Sequence, residues 1–193
     1  MKLLENNCLG PAYRYSDAHL YLVLDCLMHE DCASRMRLAE VTGIGEGSVR
    51  SLIRMLRKWG LIETSRRGTL ISDAGRKVYS QFDMVLADCR CEAYATGLCQ
   101  YGVIVRNLAD QVTDGLCQRD TAVRNGADGA TVFVMRNGKV IFPEDTVLDD
   151  DYPEFTEALR DAGMAEGDVF IMVGARNEAA ARCAAAATGV ALL

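Results

Sequence analysis

At Gly60 the hydrophobic period of this chain changes from 3.6 residues to two, and that switch restricts the first part of the sequence to few shapes. Before it, Val49, Leu52, Ile53, Leu56 and Trp59 form one apolar stripe of a helix from about Glu46 to Trp59, while Arg50, Ser51, Arg54, Arg57 and Lys58 lie elsewhere on its surface. Gly60 then acts as a helix-terminating cap. After it, Leu61 to Ser65 and Thr69 to Ile71 flank Arg66-Arg67-Gly68, the pattern of a β-hairpin with two arginines at its tip. A helix that runs straight into a short hairpin must share one small core with whatever precedes it.

What precedes it is helical. Leu20, Tyr21, Leu24, Leu27 and Met28 recur at helical spacing from Asp17 to about His29–Asp31. Ser34 predicts an N-cap for a short helix, Arg35 to Val41, and Thr42-Gly43-Ile44-Gly45 breaks the chain before the next helix. Beyond the hairpin, Ser72 or Asp73 caps a further helix predicted from Ala74 to about Leu86, with Val78, Phe82 and Val85 as its apolar face. That last helix is expected to link two halves of the protein and to serve in dimerisation. The series Gly43, Gly45, Gly47 follows no strand and lacks the spacing of a nucleotide-binding loop.

The run GIGEGSVRSLIRMLRKWGLIETSRRGTLISDAGRKV resembles the winged helix-turn-helix domain of prokaryotic transcriptional regulators. The likeness covers about residues 17 to 86. It includes the Gly43-Ile44 turn, the hydroxyl-bearing helix start at Ser48, the Gly60-Leu61-Ile62 exit and the Ser72-Asp73-Ala74-Gly75 helix entry. With a small acidic domain behind it, the whole order is similar to archaeal two-domain regulators. The resemblance implies double-stranded DNA as the partner.

Side-chain chemistry points the same way. The N-terminal side chains of a helix in the major groove reach base edges, and arginine binds guanine through two hydrogen bonds. Ser48, Arg50, Ser51 and Arg54 are the candidates for that role. Arg66 and Arg67 at the hairpin tip suit a minor groove or phosphate, and Arg35 and Lys58 suit the DNA backbone. The net charge of −6 argues against a polyanionic partner only as a mean. Residues 1–82 hold 12 Lys/Arg against 9 Asp/Glu, residues 83–193 hold 9 against 18, and residues 34–77 alone hold 10 against 4. Positive charge is therefore concentrated on the elements expected to meet DNA.

From Gln100 onward the order reads β-α-β-β-α-β-α. The strands are Tyr101–Val105, Ala130–Met135, Lys139–Phe142 and Val169–Val173, and the helices are Asp114–Asn125, Pro153–Ala162 and Asn177–Thr188. Asn137-Gly138 is the strongest short hairpin signal in the chain. The expected fold class is α+β: an N-terminal winged helix-turn-helix domain, residues 1–86, and a small mixed α/β domain, residues 90–193. The second matches the ferredoxin-like βαββαβ plan with an added terminal helix and is expected to bind an unknown small-molecule effector or to dimerise. Its candidate ligand residues are the helix face Gln118, Arg119, Asp120 and Arg124 and the strand-to-helix turn Gly174, Arg176 and Asn177. Their plainer readings are a solvated helix face and a tight turn.

Half of the residues are apolar and a quarter charged, which excludes a disordered chain, and no apolar run approaches the roughly 20 residues of a membrane span. Without a secretory signal, the protein is expected to be cytoplasmic, its eight cysteines thiols rather than a disulfide framework. Cys89, Cys91, Cys99 and possible partner Cys117 lack the paired spacing of a zinc or iron–sulfur site, and the acidic run Asp149–Asp151 with Glu144, Asp145 and Glu154 lacks the ligand order of a calcium loop. Neither a metal nor a cofactor is expected. No catalytic motif occurs, and both histidines, His19 and His29, lie in the first helix, so the expected protein is a ligand-responsive regulator and homodimer rather than an enzyme. The alternatives are an enzyme, or a thiol or metal sensor, carrying the first domain as an interaction module.

Overall fold

The computed structural model describes residues 15–94, 96–143 and 146–193. The chain forms two compact units, with the boundary between Phe82 and Asp83. The fold is mixed α and β.

The first unit contains α1 (Asp17–His29), α2 (Arg35–Thr42), α3 (Glu46–Lys58), the strands β1 (Ile62–Thr64) and β2 (Thr69–Ile71), and α4 (Asp73–Tyr79). Three of these helices, α1, α2 and α4, begin where a side chain partners a backbone N–H at the helix start. The backbone N–H of Ser16 donates to His19 Nδ1 at 3.0 Å, Arg37 N–H donates to Ser34 Oγ at 3.1 Å, and Gly75 N–H donates to Ser72 Oγ at 3.0 Å. Burial holds the His19 pKa below its ordinary value, which favours the neutral ring. Gly43 ends α2 at φ +70°, in the left-handed region that glycine enters without strain. The core joins Leu20, Leu24 and Leu27 of α1 to Leu38, Leu52, Leu56 and Ile62, all fully or almost fully buried.

The hairpin pairs Ile62 with Ile71 and Thr64 with Thr69. It also has a third partner. Ala33 and Thr69 exchange N–H···O bonds of 2.9 Å in both directions, so the segment before α2 lies alongside β2.

The helix expected from Ala74 to Leu86 is a correction. It stops at Tyr79, and Met84–Ala87 forms a strand, β3, of the second unit. Val78, Phe82 and Val85 mimic a helical stripe by spacing alone. Tyr79 donates to Asp25 at 2.7 Å, and Tyr21 stacks on Tyr79 and meets Phe82 edge-on, so the turn packs into the first unit. Val85 is exposed on that strand, while Met84 and Ala87 are buried.

The second unit adds β4 (Cys99–Val105), α5 (Leu116–Arg124), β5 (Gly129–Arg136), β6 (Lys139–Ile141), α6 (Pro153–Asp161), β7 (Val169–Ala175) and α7 (Glu178–Leu192). Its five strands stand in the order β3-β4-β7-β5-β6, every neighbouring pair antiparallel. The succession of elements from β4 onward is the expected one, but the ferredoxin-like arrangement is not. In that plan the second strand of the central hairpin lies between the two parallel strands of the split β-α-β unit. Here the last strand, β7, occupies that place, and β6 is left at the edge.

Helices cover both faces, which explains the almost unbroken apolar strands. α7 packs on β4 and β7, and α5 on β5. Phe133, Phe155, Leu159 and Phe170 share the core that includes α6. Gly102 makes room there, because a Cβ at that position would lie 2.2 Å from Phe170 Cε2.

The β5–β6 turn places Asn137 at φ +54° and Gly138 at φ +71°, the conformation that favours an Asn-Gly pair. Both backbone N–H groups donate to the Glu166 carboxylate, at 2.8 and 2.9 Å, and these bonds hold the Glu166 pKa below its ordinary 4.5. Because the folded-state pKa is depressed, the brace is complete at neutral pH and is lost as pH falls through the lowered value. The Gly138 amide resonance is therefore expected to titrate with a midpoint below 4.5; a midpoint at or above it would contradict the brace.

Candidate nucleic-acid interface

Four apolar residues of α3, Val49, Leu52, Ile53 and Leu56, face the core. At 100° per residue, the opposite side carries Gly47, Ser51, Arg54 and Lys58 within about 60° of arc, with Arg50 and Arg57 on one flank. All six are exposed. Ser48 differs from the sequence expectation: it is half-buried, on the other flank from Arg50.

The hairpin tip carries Arg66 and Arg67, both exposed. The tip is anchored: Ser65 N–H donates to Gly68 O at 2.8 Å, and a Cβ at Gly68 would lie 2.8 Å from Ala33 O. Ala33 is two residues before Arg35, so the fold brings the start of α2 beside the tip. Among the described residues, Arg35, Arg50, Arg54, Arg57, Lys58, Arg66 and Arg67 make no ion pair, whereas Arg37 bridges Glu30 and Glu40 at 2.8 and 3.1 Å. Seven uncompensated cations on three elements create a field suited to a polyanion.

In the sequence, Gly45 and Gly47 stand out only in a helix break and in a glycine series that lacks the spacing of a nucleotide-binding loop. Neither would meet any atom within 4 Å if it carried a Cβ, so packing within the chain requires neither glycine. Within a helix, glycine costs about 1 kcal/mol relative to alanine, so Gly47 weakens α3 with no internal return. That helix-propensity penalty was the available signal.

In the second unit the two sets of ligand candidates separate. Gln118 is buried, while Asp120 and Arg124 are exposed. Arg119 lines a cleft of about 280 Å³ with Asp114, Leu116, Val132 and Phe142. The turn reading of Gly174 is corrected: β7 continues through Ala175, and a Cβ on Gly174 would lie 1.2 Å from Thr96 O. Gly174 is there because another backbone segment crosses it. Asn177 accepts Ala180 N–H at 2.9 Å as the cap of α7, so its side chain already serves the helix; Arg176 is exposed. A second cleft, about 540 Å³ and missed by sequence, lies between Arg90–Glu92 and the start of α6.

Cys89 and Cys91 are buried, Cys99 is half-buried and Cys117 exposed. Burial and Asp88 push the Cys89 thiol up, and burial pushes Cys183 up to about 11, away from the reactive thiolate. Among the described residues no group of three or more His, Cys, Asp or Glu is placed to hold a metal ion; Glu144 and Asp145 lie outside them. No helix among them is long and apolar enough to cross a membrane.

The comparisons with known proteins bear on the second unit first. The chain belongs to the family described as "Domain of unknown function (DUF4443)", whose model matches residues 96–192. It is also similar to the solved structure of a hypothetical protein from the archaeon Pyrococcus horikoshii OT3. That likeness covers 93% of each chain at a TM-score of 0.75 and 22% identity, and at that identity it speaks to the fold alone. No curated protein matches.

Proposed function

We propose that this protein is a DNA-binding transcriptional regulator whose first unit is a winged helix-turn-helix, with α2 and α3 as the helix pair and the β1–β2 hairpin as the wing. The observation that carries the reading is the exposed side of α3, where Arg50, Arg54 and Lys58 have no ion-pair partner among the described residues and stand beside a glycine that packing does not require. An α-helix fits the major groove, and unpaired arginines at its surface supply donors to base edges and phosphates. Gly47 lets a nucleic-acid backbone come close to the helix start. The Ala33–Thr69 pairing supports the wing, because it holds the hairpin beside its tip while the Arg66 and Arg67 side chains stay exposed.

The second unit, with its acidic balance and its clefts at Arg119 and at Arg90–Glu92, is proposed to bind a small-molecule effector, and the complete regulator to act as a cytoplasmic homodimer through residues 83–193. An effector changes DNA affinity only by binding two arrangements of the protein unequally. Two copies place two α3 helices in successive major grooves, roughly 34–36 Å apart. Sedimentation of the full chain on a duplex is expected to give two chains per site; one chain per site would remove the dimer.

Gly47→Ala tests the function. It is expected to raise the stability of the first unit by up to about 1 kcal/mol, through helix propensity, while weakening duplex binding. Fluorescence anisotropy of a labelled duplex and thermal unfolding provide the two readouts. A stabilised variant that binds as well as the wild-type chain would show that nothing approaches Gly47.

A further inference from the structure

We infer that the duplex is selected through guanine in the major groove, with Arg50 and Arg54 as the specificity-determining residues and Ser51 reading an exocyclic amine beside them; this rests on the DNA-binding reading above. The observations are the free hydrogen-bonding capacities left on α3 once its internal bonds are counted.

Arg50 and Arg54 are exposed, and among the described residues neither has an ion-pair partner. A guanidinium offers donors only, in a planar fork. Of the four bases, only guanine shows two adjacent acceptors, O6 and N7, in the major groove. The two arginines are four residues apart, about 6 Å along the helix, which corresponds to roughly two base-pair steps of 3.4 Å. Their guanines therefore lie within a short window of the same half-site.

Ser51 is constrained differently. Its hydroxyl donates to the Gly47 carbonyl at 3.2 Å, so what it offers outward is its lone pairs. Those match the N6 amine of adenine or the N4 amine of cytosine, and not a guanine O6 or a thymine O4. The outer line of Gly47, Ser51, Arg54 and Lys58 contains no apolar side chain to meet a thymine methyl. Among the described residues of this unit, the large exposed apolar side chains, Met36 and Trp59, lie on α2 and beyond the end of α3. The helix thus has two features that recognise guanine and none that rewards thymine.

The test uses the full chain and a pool of random duplexes about two helical turns long. Selection is expected to enrich guanine at two positions within one half-site. Replacing those guanines with 7-deazaguanine removes N7 and leaves Watson–Crick pairing intact; binding is expected to fall about 5- to 150-fold. In Arg54→Ala the penalty at one of the two positions is expected to disappear. Enrichment of A·T-only duplexes, or equal binding of the deaza-substituted duplex, overturns the guanine assignment while leaving DNA binding in place. Failure of the wild-type chain to bind any duplex in the pool overturns the DNA-binding reading and this inference together.

Discussion

Replacing Arg50 and Arg54 together with glutamate is expected to abolish specific duplex binding at physiological salt while leaving the fold intact. The lost contacts alone amount to about 2–6 kcal/mol, at 1–3 kcal/mol for each base-reading arginine. Two carboxylates facing phosphate add repulsion. The stability cost is small, because both side chains are exposed and surface changes of this kind usually stay within about 0.5 kcal/mol. Helix pairing nearly cancels: a glutamate at 54 gains Lys58 four residues on, and one at 50 faces Glu46 four residues back. Anisotropy at two salt concentrations, with far-UV circular dichroism for the fold, reads both effects. Undiminished binding would move the interface off α3.

Gly174→Ala is expected to have the largest effect on folding. The added methyl would stand 1.2 Å from Thr96 O and 2.3 Å from Thr96 C, so one of two backbone segments must move. Neither moves easily. Gly174 lies in β7, paired with Gln100 of β4 and Gly129 of β5, and it accepts Asp128 N–H at 2.8 Å. On the other side, Gly97 at φ +83° is held so close to Ala175 that a Cβ on it would lie 2.8 Å from Ala175 N. Overpacking typically costs 1–3 kcal/mol when side chains can yield. Here backbone must yield, and a loss above about 3 kcal/mol is expected. The single tryptophan, Trp59, belongs to the first unit, so its fluorescence follows that unit alone, and far-UV dichroism follows both. The expected result is early loss of dichroism with a separate, later fluorescence transition. Coincident transitions at the wild-type temperature would contradict the crossing at Gly174.

The first unit was more legible in the sequence than the second, and the reason is distance along the chain. Its helices announce themselves through local devices, such as Ser34 bonded to Arg37 N–H and Gly43 in the left-handed region. Asn137-Gly138 is local in the same sense. β3 was not legible, because Met84–Ala87 is a short apolar run whose state depends on pairing with Gly102–Val105. Its spacing after Val78 and Phe82 fits a helix equally well. The strand order was hidden for a related reason: β4, β5 and β7 are buried on both faces, so their sequences carry no alternation to show which neighbour each takes. At the interface, the arginines could be named from the helical period. The half-burial of Ser48 and the open space at Gly47 depend on how α3 packs against the rest of the unit, which its own period does not show. Gly174 looked like a turn because the chain that demands it, Thr96, is 78 residues earlier.

The central claim is that α3 and the hairpin tip meet duplex DNA. The most direct test is amide hydrogen exchange of the full chain, free and bound to a selected duplex. Slowed exchange is expected in residues 45–58 and 65–68, the α3 helix with its N-terminal turn and the hairpin tip. Slowing confined to residues 83–193, or no change at α3 in a chain that is demonstrably duplex-bound, would contradict it.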